Sequence, residues 1–252
     1  MRSSPVVAAI LAVFAFLSPR FAFAQAAGLN VSPIQIYLTP NSRNTLLTIR
    51  NDGAEEGRYQ LDVFDWGENE RGEMQLRPTR EVVFFPRLLV LKPGEQRNVR
   101  VGATAEPVNE EKTYRIFIEE LPPPKRPGSG VGVKVLTKIG LPIFLTPNGA
   151  AAVPKLHDFK VADGKLSFRL RNDGAKHFQV EKLRVVGRDA ASSPAFETFV
   201  GGWYILRGED RVYEVAIPKE ACLKVKELQV EALISSGPVT AKHLVPAGRC
   251  SG

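Results

Sequence analysis

A stretch with strict alternation, GVGVKVLTKIGLP at residues 130–142, holds the most informative side chains of the sequence. Apolar or β-branched residues recur there at every second position, as in an extended strand with one buried face. The chemistry open to such a row is the burial of apolar surface rather than catalysis. The preceding LPPPKRPGSG is rich in proline and glycine and predicts a loop. The row consists of Val131, Val133, Val135, Thr137 and Ile139.

Residues that could catalyse a reaction or bind a metal are present, but no recognisable motif arranges them. The sequence contains no GxSxG elbow, no glycine-rich phosphate loop and no HExxH. Paired acids such as Glu55-Glu56 and Glu110-Glu111 fall at turns or strand ends, where solvated surface is expected. His157, His177 and His243 are too far apart to suggest a zinc site. We therefore predict neither an enzyme nor a bound cofactor or metal.

The N-terminal residues resemble a secretory signal. Arg2 is followed by an apolar stretch over residues 5–17, and Ala22-Phe23-Ala24 fits a cleavage site. We predict a signal peptide at residues 1–24 and a mature chain from Gln25. No later stretch is long and apolar enough to predict a membrane helix. The formal net charge of +7 is spread along the chain without a basic, aromatic-rich patch, so nucleic-acid binding is not expected.

The chain has two cysteines, Cys222 and Cys250. Cysteines of an exported protein commonly pair, so we predict a disulfide between them. In the chain-entropy description, a bridge that closes a loop of this length stabilises the fold by about 3–4 kcal/mol. We interpret the bridge as structural.

The remaining pattern predicts strands. Short segments of period two alternate with turns rich in proline, glycine, asparagine and aspartate, and no segment has a helical period. About seven strands in each half favour two β-sandwiches, with a boundary near residue 147. RNDG occurs at residues 50–53 and again at 171–174, a weak hint of two similar domains. A switch of parity between Phe64 and Trp66 suggests a bulge.

Five segments make the chain resemble the PapD-like family of periplasmic chaperones for pilus and fimbria assembly. The resemblance runs over residues 29–147 and implies two immunoglobulin-like β-sandwich domains with an interdomain cleft. The first domain is then residues 25–147, and the C-terminal β-sandwich domain is residues 148–252. The segments are LNVSPIQIYL, LLTIRNDG, FFPRLLVLKPGEQRNVRV, YRIFIEELPP and TKIGLPIFLTP.

The resemblance also implies a function for the alternating strand. Family members lend the last strand of their first domain to pilin subunits, whose own sandwich lacks one strand. Here that strand is residues 131–141, with Val131, Val133, Val135 and Ile139 as the subunit-binding row. Strand addition pairs backbones and fills an apolar groove with alternate side chains. An ordinary edge strand that covers the protein's own core is the alternative, and it is expected from Thr137 onward.

One feature departs from the family. Its members hold a subunit's terminal carboxylate with an arginine on the first strand and a lysine near the end of the lent strand. Those positions are Gln35 and Gly140 here, and neither is charged. Lys138 lies on the same strand face as Gly140 at a distance of about 6–7 Å. Lys138, together with Gln35, is therefore the candidate carboxylate anchor, and a solvated Lys138 without such a role is the alternative.

Together these observations predict a periplasmic chaperone for fimbria-like subunits that donates its 131–141 strand. Its expected partners are secreted pilin-like subunits and an outer-membrane usher, without nucleic acid or membrane insertion. The alternative is a secreted structural or adhesive β-sandwich protein that assembles by strand exchange. The short mature N-terminus offers no donor extension for that alternative.

Overall fold

The chain folds almost entirely into β-strands. The computed structural model describes residues 28–69, 71–105, 109–123 and 135–246. In chain order the strands are β1 Leu29–Ser32, β2 Ile36–Leu38, β3 Asn44–Asn51, β4 Gly57–Glu68, β5 Met74–Pro78, β6 Val82–Phe85, β7 Leu88–Leu91, β8 Gln96–Ala103, β9 Lys112–Glu120, β10 Lys138–Leu145, β11 Pro154–Ala162, β12 Lys165–Asn172, β13 Phe178–Arg188, β14 Pro194–Gly201, β15 Tyr204–Ile205, β16 Asp210–Ala216, β17 Glu227–Ile234 and β18 Gly237–Leu244.

Strands β1–β10 form the first sandwich. One sheet has the order β1-β3-β8-β6, and the other has the order β2-β10-β9-β4-β5 with β7 also paired to β4. The core lies between the sheets, because most strands turn one row of apolar residues inward, as Ile116 and Ile118 of β9 and Leu141 of β10 show, whereas β5 is exposed. Each such side chain stabilises the fold by about 1.5–3 kcal/mol when fully buried.

Strands β11–β18 form the second sandwich in the same way. A sheet of order β11-β12-β16 faces a sheet of order β14-β13-β17-β18, and β15 pairs with β13. Leu166, Phe168 and Leu170 of β12 supply one side of the core, and Leu228 and Val230 of β17 supply the other. A short helix, α1 (Lys219–Cys222), is the only helix among the described residues, and no helix in that part of the chain could cross a membrane.

The two-sandwich prediction is confirmed, although the strand number is higher than about seven in each half. The excess comes from short strands such as β2, β7 and β15, which have too few residues to show an alternation of their own. The connection between the sandwiches lies at residues 146–153, between β10 and β11. The predicted boundary at residue 147 falls in this connection, and the domain limits stay a prediction.

The bulge predicted between Phe64 and Trp66 is wrong. β4 pairs with β9 in unbroken register from Tyr59 to Asp65. The parity changes because the two faces of β4 are buried by different parts of the molecule. Leu61 faces the core of the first sandwich, whereas Trp66 lies on the opposite face and contacts residues of the second sandwich.

The two RNDG segments have equivalent roles. The side-chain oxygen of Asn51 accepts a hydrogen bond from the backbone N–H of Gly53, and its amide donates to the carbonyls of Glu55 and Leu91. In the second sandwich Asn172 accepts from Gly174 in the same way. The Asn172 amide donates to three carbonyls, those of Lys176, Ile205 and Leu206. Each asparagine thus satisfies backbone groups that its turn leaves unpaired in the interior.

We expect Asn172→Ala to lower the free energy of unfolding by about 2–4 kcal/mol, because it leaves several buried backbone groups without partners. Urea unfolding followed by circular dichroism measures the loss. Asn98→Ala is the matched control, since Asn98 is exposed and accepts one bond from Thr48; its effect should stay within about 0.5 kcal/mol. Equal effects of the two substitutions would contradict the proposed role of Asn172.

Cys222 lies in α1 and is buried. Its predicted partner, Cys250, lies outside the described residues, so the bridge between them stays a prediction.

Candidate functional site

The alternating segment that sequence analysis singled out is described only from Val135 onward. Val131 and Val133 lie outside the described residues. Val135 precedes β10, belongs to no strand and has a side chain that is 82% exposed. Val135 is therefore not part of the protein's own core, and its place in the subunit-binding row stays a prediction.

Ile139 has a different environment from Val135. It lies in β10, partly buried, and contacts the core of the first sandwich. Leu141, two residues further on, is fully part of that core. Ile139 therefore covers the protein's own core, which argues against a role as a plug in a client's groove. The transition from exposed to core-facing side chains falls between Val135 and Ile139.

The two edges of β10 are paired to different extents. β9 pairs with β10 along its whole length, from Lys138 to Leu145. On the other edge β2 pairs only from Ile143 to Leu145. Within the described ranges, residues 138–142 of that second edge have no strand partner. An unpaired edge is a template for another strand, and β2 limits how far such a strand can extend along β10.

The outward face of the six-stranded sheet is covered by the second sandwich. Trp66 and Phe144 of that sheet form an apolar cluster with Tyr204 and Leu206 from the second sandwich. We call these four residues the interdomain cluster. The ring of His177 stacks on Phe144 with centroids 3.5 Å apart. The sheet that carries β10 is therefore buried on both faces where the sandwiches meet.

A buried glutamate fixes the contact between the sandwiches. One oxygen of Glu111 accepts a hydrogen bond from the backbone N–H of His177 at 2.8 Å and lies 2.7 Å from its ring Nδ1. The other oxygen accepts from the Thr146 hydroxyl at 2.6 Å. Because Glu111 itself donates its backbone N–H to Ala175, the start of β9 is tied to the turn before β13.

Gln35 and Gly140, the two positions at which the resemblance implies a carboxylate anchor, make other contacts here. The Gln35 amide donates to the Tyr204 hydroxyl and to Gln179, and its oxygen accepts from Tyr37. Gln35 therefore connects the sandwiches. At Gly140, an added Cβ would lie 2.7 Å from the ring of Phe117, so that ring fills the space of a side chain.

Lys138, the candidate anchor, already has an ionic partner. Its Nζ lies 2.7 Å from a carboxylate oxygen of Glu119, directly across on β9, and 5.3 Å from the centre of the Phe117 ring. More than half of the Lys138 side chain is exposed. An exposed ion pair of this kind contributes at most about 1 kcal/mol, so a competing carboxylate would gain little from Lys138.

Sequence analysis missed the cation that is buried at this site. Arg115 of β9 is 6% exposed, and its guanidinium lies between two indole rings, 4.3 Å from the centre of Trp66 and 5.2 Å from that of Trp203. Its Nε is buried without a partner, and in the described part of the chain no hydrogen bond or ion pair joins the guanidinium. The signal available in the sequence is an arginine inside the otherwise apolar run YRIFI.

Burial lowers the pKa of Arg115, while Tyr204 and Glu68 act in the opposite direction. An arginine nevertheless stays charged at neutral pH, since its ordinary pKa is above about 12. Both tryptophans of the chain thus flank a buried positive charge at the meeting point of the sandwiches.

Glu68 of the first sandwich acts electrostatically on Arg115, and Glu209 of the second sandwich interacts with Glu68. Glu68 of β4 accepts from the Trp203 indole N–H at 2.6 Å and lies 3.5 Å from the Arg211 guanidinium. Burial raises the pKa of Glu68. Burial also raises the pKa of Glu209, to about 7; the backbone N–H of Leu206 lowers it and the charge of Glu68 raises it further.

We expect Glu209→Gln to make stability less dependent on pH. Since the folded-state pKa lies above the ordinary value, the carboxyl favours folding fully at low pH, and this contribution is lost as the pH rises through about 7. At pH 8 the variant should be more stable by on the order of 1 kcal/mol after screening by solvent, or about 2–4 °C in melting temperature.

Thermal melts between pH 4.5 and 8.5 measure this difference. Glu214→Gln is the matched control, because Glu214 is exposed and its nearest cation, on Lys165, is 4.0 Å away. The plot of its melting temperature against pH should stay parallel to that of the wild type. A Glu209→Gln profile parallel to the wild type would contradict the assignment.

Comparison with known proteins gives one family and many related folds. Residues 28–151 match the family described as pili and flagellar-assembly chaperone, PapD N-terminal domain. This range contains β1–β10 and thus the whole first sandwich. Comparison with curated protein sequences finds no significant match.

Several solved structures share the fold over nearly their whole length. A chain of the CsuC–CsuE chaperone–tip adhesion subunit pre-assembly complex from Acinetobacter baumannii Csu pili has a TM-score of 0.61 at 19% identity, covering 86% of this chain and 98% of that one. The YadV chaperone has a TM-score of 0.59 at 12% identity, with 86% and 99% covered. A chain of the Salmonella enterica SafA pilin–SafB chaperone complex has a TM-score of 0.54 at 12% identity, with 87% and 97% covered.

Proposed function

The chain belongs to the PapD-like family of pilus-assembly chaperones, and we propose that it holds its subunits by lending them the strand at residues 131–141. Chaperoning of fimbria-like or pilus-like subunits is favoured over the alternative of a structural protein that polymerises by strand exchange. The observation that carries the strand-lending proposal is the open edge of β10 next to the exposed Val135.

The arrangement of side chains along β10 supports this mechanism. Val135 and Ile139 have the same parity, and Ile139 and Leu141 cover the core of the first sandwich. If Val135 and the residues of the same parity before it enter a client's groove, the client's core would therefore continue the core of the first sandwich. The client's backbone would pair with the open edge at residues 138–142, which satisfies unpaired N–H and C=O groups on both strands.

Subunits bound in this way are expected to be secreted and pilin-like, and an outer-membrane usher is the expected recipient of the complex. The proposed place of action is the periplasm, and the proposed function involves binding without catalysis. The signal-like residues 1–24 and the pair Cys222 and Cys250 are consistent with an exported protein.

We predict that Val135→Asp weakens binding of a fimbrial subunit from the same gene neighbourhood at least about 100-fold, because an unpaired carboxylate is costly to bury in an apolar groove. Titration calorimetry or competition in refolding of the subunit measures the loss. The melting temperature should not change, since Val135 is exposed in the free protein.

Leu223→Asp is the matched control, because Leu223 is an equally apolar residue that is 76% exposed in the second sandwich. It should leave subunit binding intact. Strand lending loses its support if Val135→Asp unfolds the free protein or binds the subunit as well as the wild type does.

The mature protein is expected to begin at Gln25 and to contain a Cys222–Cys250 bridge. Intact mass of the protein from a periplasmic extract, with and without reduction before alkylation, tests both expectations. Two alkylated thiols without reductant, or a retained N-terminal segment, would show them to be wrong.

A further inference from the structure

Two carboxyl groups from different sandwiches interact with each other where the sandwiches meet. Glu68 is the last residue of β4, and its side chain is 2% exposed. Glu209 lies in the turn between β15 and β16, and its carboxyl is a hydrogen-bond partner of Glu68. Two charged carboxylates in contact repel each other, whereas a pair that keeps one proton is joined by a hydrogen bond. The number of protons on the pair therefore decides whether it attracts or repels.

Glu68 is placed to carry the negative charge of the pair. One of its oxygens accepts from the Trp203 indole N–H at 2.6 Å, and the other lies 3.5 Å from the Arg211 guanidinium. Burial raises the pKa of Glu68, while the bond from Trp203 and the charges of Arg211 and Arg115 act in the opposite direction. These three groups favour the charged form of Glu68.

Glu209 is placed to hold the proton. Its Oε2 accepts from the backbone N–H of Leu206 at 3.0 Å, and within the described ranges no cation forms an ion pair with it. The charge of Arg211 acts on Glu209 only weakly in comparison with its burial. Burial raises the pKa of Glu209 to about 7, the Leu206 N–H lowers it, and the charge of Glu68 raises it further.

The other charged groups beside Glu209 have partners of their own. They line the two cavities that flank Glu209, one against the first sandwich and one along β16. Their contacts are Glu81–Lys112 and Asp65–Arg77 in the first sandwich, Asp210–Arg169 in the second, and Glu110–Arg207 and Glu111–His177 between the two.

We propose that Glu68 and Glu209 form a proton-dependent latch between the sandwiches, which is closed while the pair holds one proton and opens more readily when both carboxyls are charged. In the closed latch Glu209 carries the proton and donates it to Glu68, which Trp203 and Arg211 keep charged. β4 belongs to the same sheet as β10, so the latch holds the sheet that has the open edge. The inference concerns the free protein and does not depend on strand lending.

The direction of the effect follows from the proton on Glu209. In the open latch this carboxyl is solvated and has the ordinary glutamate pKa of about 4.3. Since its pKa in the closed latch is higher, at about 7, closing is favoured fully below the ordinary value, and this advantage is lost as the pH rises through 7. The equilibrium constant for opening should rise by up to about 10-fold per pH unit in this window and then level off.

Two N–H groups report on the two sides of the latch. The indole N–H of Trp203 donates to Glu68, and the backbone N–H of Leu206 donates to Glu209. Hydrogen exchange of the mature protein, measured by NMR and corrected for the intrinsic effect of pH, gives a protection factor for each group. We expect both protection factors to fall together, by about 10-fold or more between pH 5 and pH 7.

The backbone N–H of Val230 is the internal reference, because Val230 is fully buried in the core of the second sandwich. It exchanges through wider unfolding and should be more protected at every pH than the two groups at the latch. Equal protection of all three groups would mean that the contact opens only when the fold does, and would overturn the latch.

Three substitutions test the assignment of the proton. Glu209→Gln keeps a hydrogen-bond donor toward Glu68 but has no proton to lose, so both protection factors should stay high and independent of pH. Glu68→Gln removes the neighbouring charge and should lower the pH at which the fall levels off. Glu110→Gln is the matched control, because Glu110 also pairs with an arginine of the second sandwich, Arg207 at 2.8 Å, but in an exposed position. It should keep the profile of the wild type.

The latch is overturned if Glu209→Gln retains the pH dependence of the wild type, or if Glu110→Gln removes it. It is also overturned if the two N–H groups lose protection at different pH values, since a single opening must release both. Thermal melts and circular dichroism show whether each variant is folded, and Glu68→Gln gives the answer should Glu209→Gln not fold.

Discussion

A sheet that is apolar on both faces cannot face water on either side, and this constraint governs the arrangement of the whole molecule. The sheet of β2, β10, β9, β4, β5 and β7 buries one face in the core of the first sandwich. On its other face Trp66 and Phe144 need a second cover, which Tyr204 and Leu206 supply. The second sandwich therefore completes the burial of this sheet of the first sandwich. The polar contacts around this cluster, from Glu111 to His177 and from Gln35 to Tyr204, set its orientation.

The same sheet is left incomplete at one edge. Burial of both faces still leaves the backbone groups of residues 138–142 without a strand on the side opposite β9, within the described residues. The protein thus retains a local site for backbone pairing on β10. Its limits are set by the protein itself, since β2 blocks further extension at Ile143. The position of β2 therefore limits how far an added strand could extend along β10.

The architecture was predictable from sequence because its signal is local. Alternation within each strand and turn residues between strands indicate sandwiches without knowledge of which strand pairs with which. The equivalence of Asn51 and Asn172 was visible as a repeated RNDG, although the hydrogen bonds that give it meaning join residues far apart in the chain. By contrast, the bulge predicted at Phe64 was wrong. A pattern of period two assumes a strand with one buried face, and β4 has two buried faces.

The site was less predictable, because the contacts that define it join residues that are far apart in the sequence. Lys138 was predicted as an anchor from its position on the strand proposed to be lent, but its pairing with Glu119 depends on the register between β10 and β9. Arg115 has no signature of its own, because its importance comes from Trp66 on a neighbouring strand and from Trp203 in the other sandwich. The surroundings of such a buried charge are recognisable only in three dimensions.

The contact between Gly140 and Phe117 has a consequence for which side chains these two positions can accept. The Phe117 ring lies across Gly140, so close that any β-carbon there would force the ring to move. That ring is held by an edge-to-face contact with Phe64 and by Lys138 above it. A lysine introduced at residue 140 alone would therefore disturb Phe117 and, through it, Phe64 and Lys138. The two positions are therefore coupled: a side chain at residue 140 requires a smaller residue at 117, so the effects of the two substitutions on stability should not be additive.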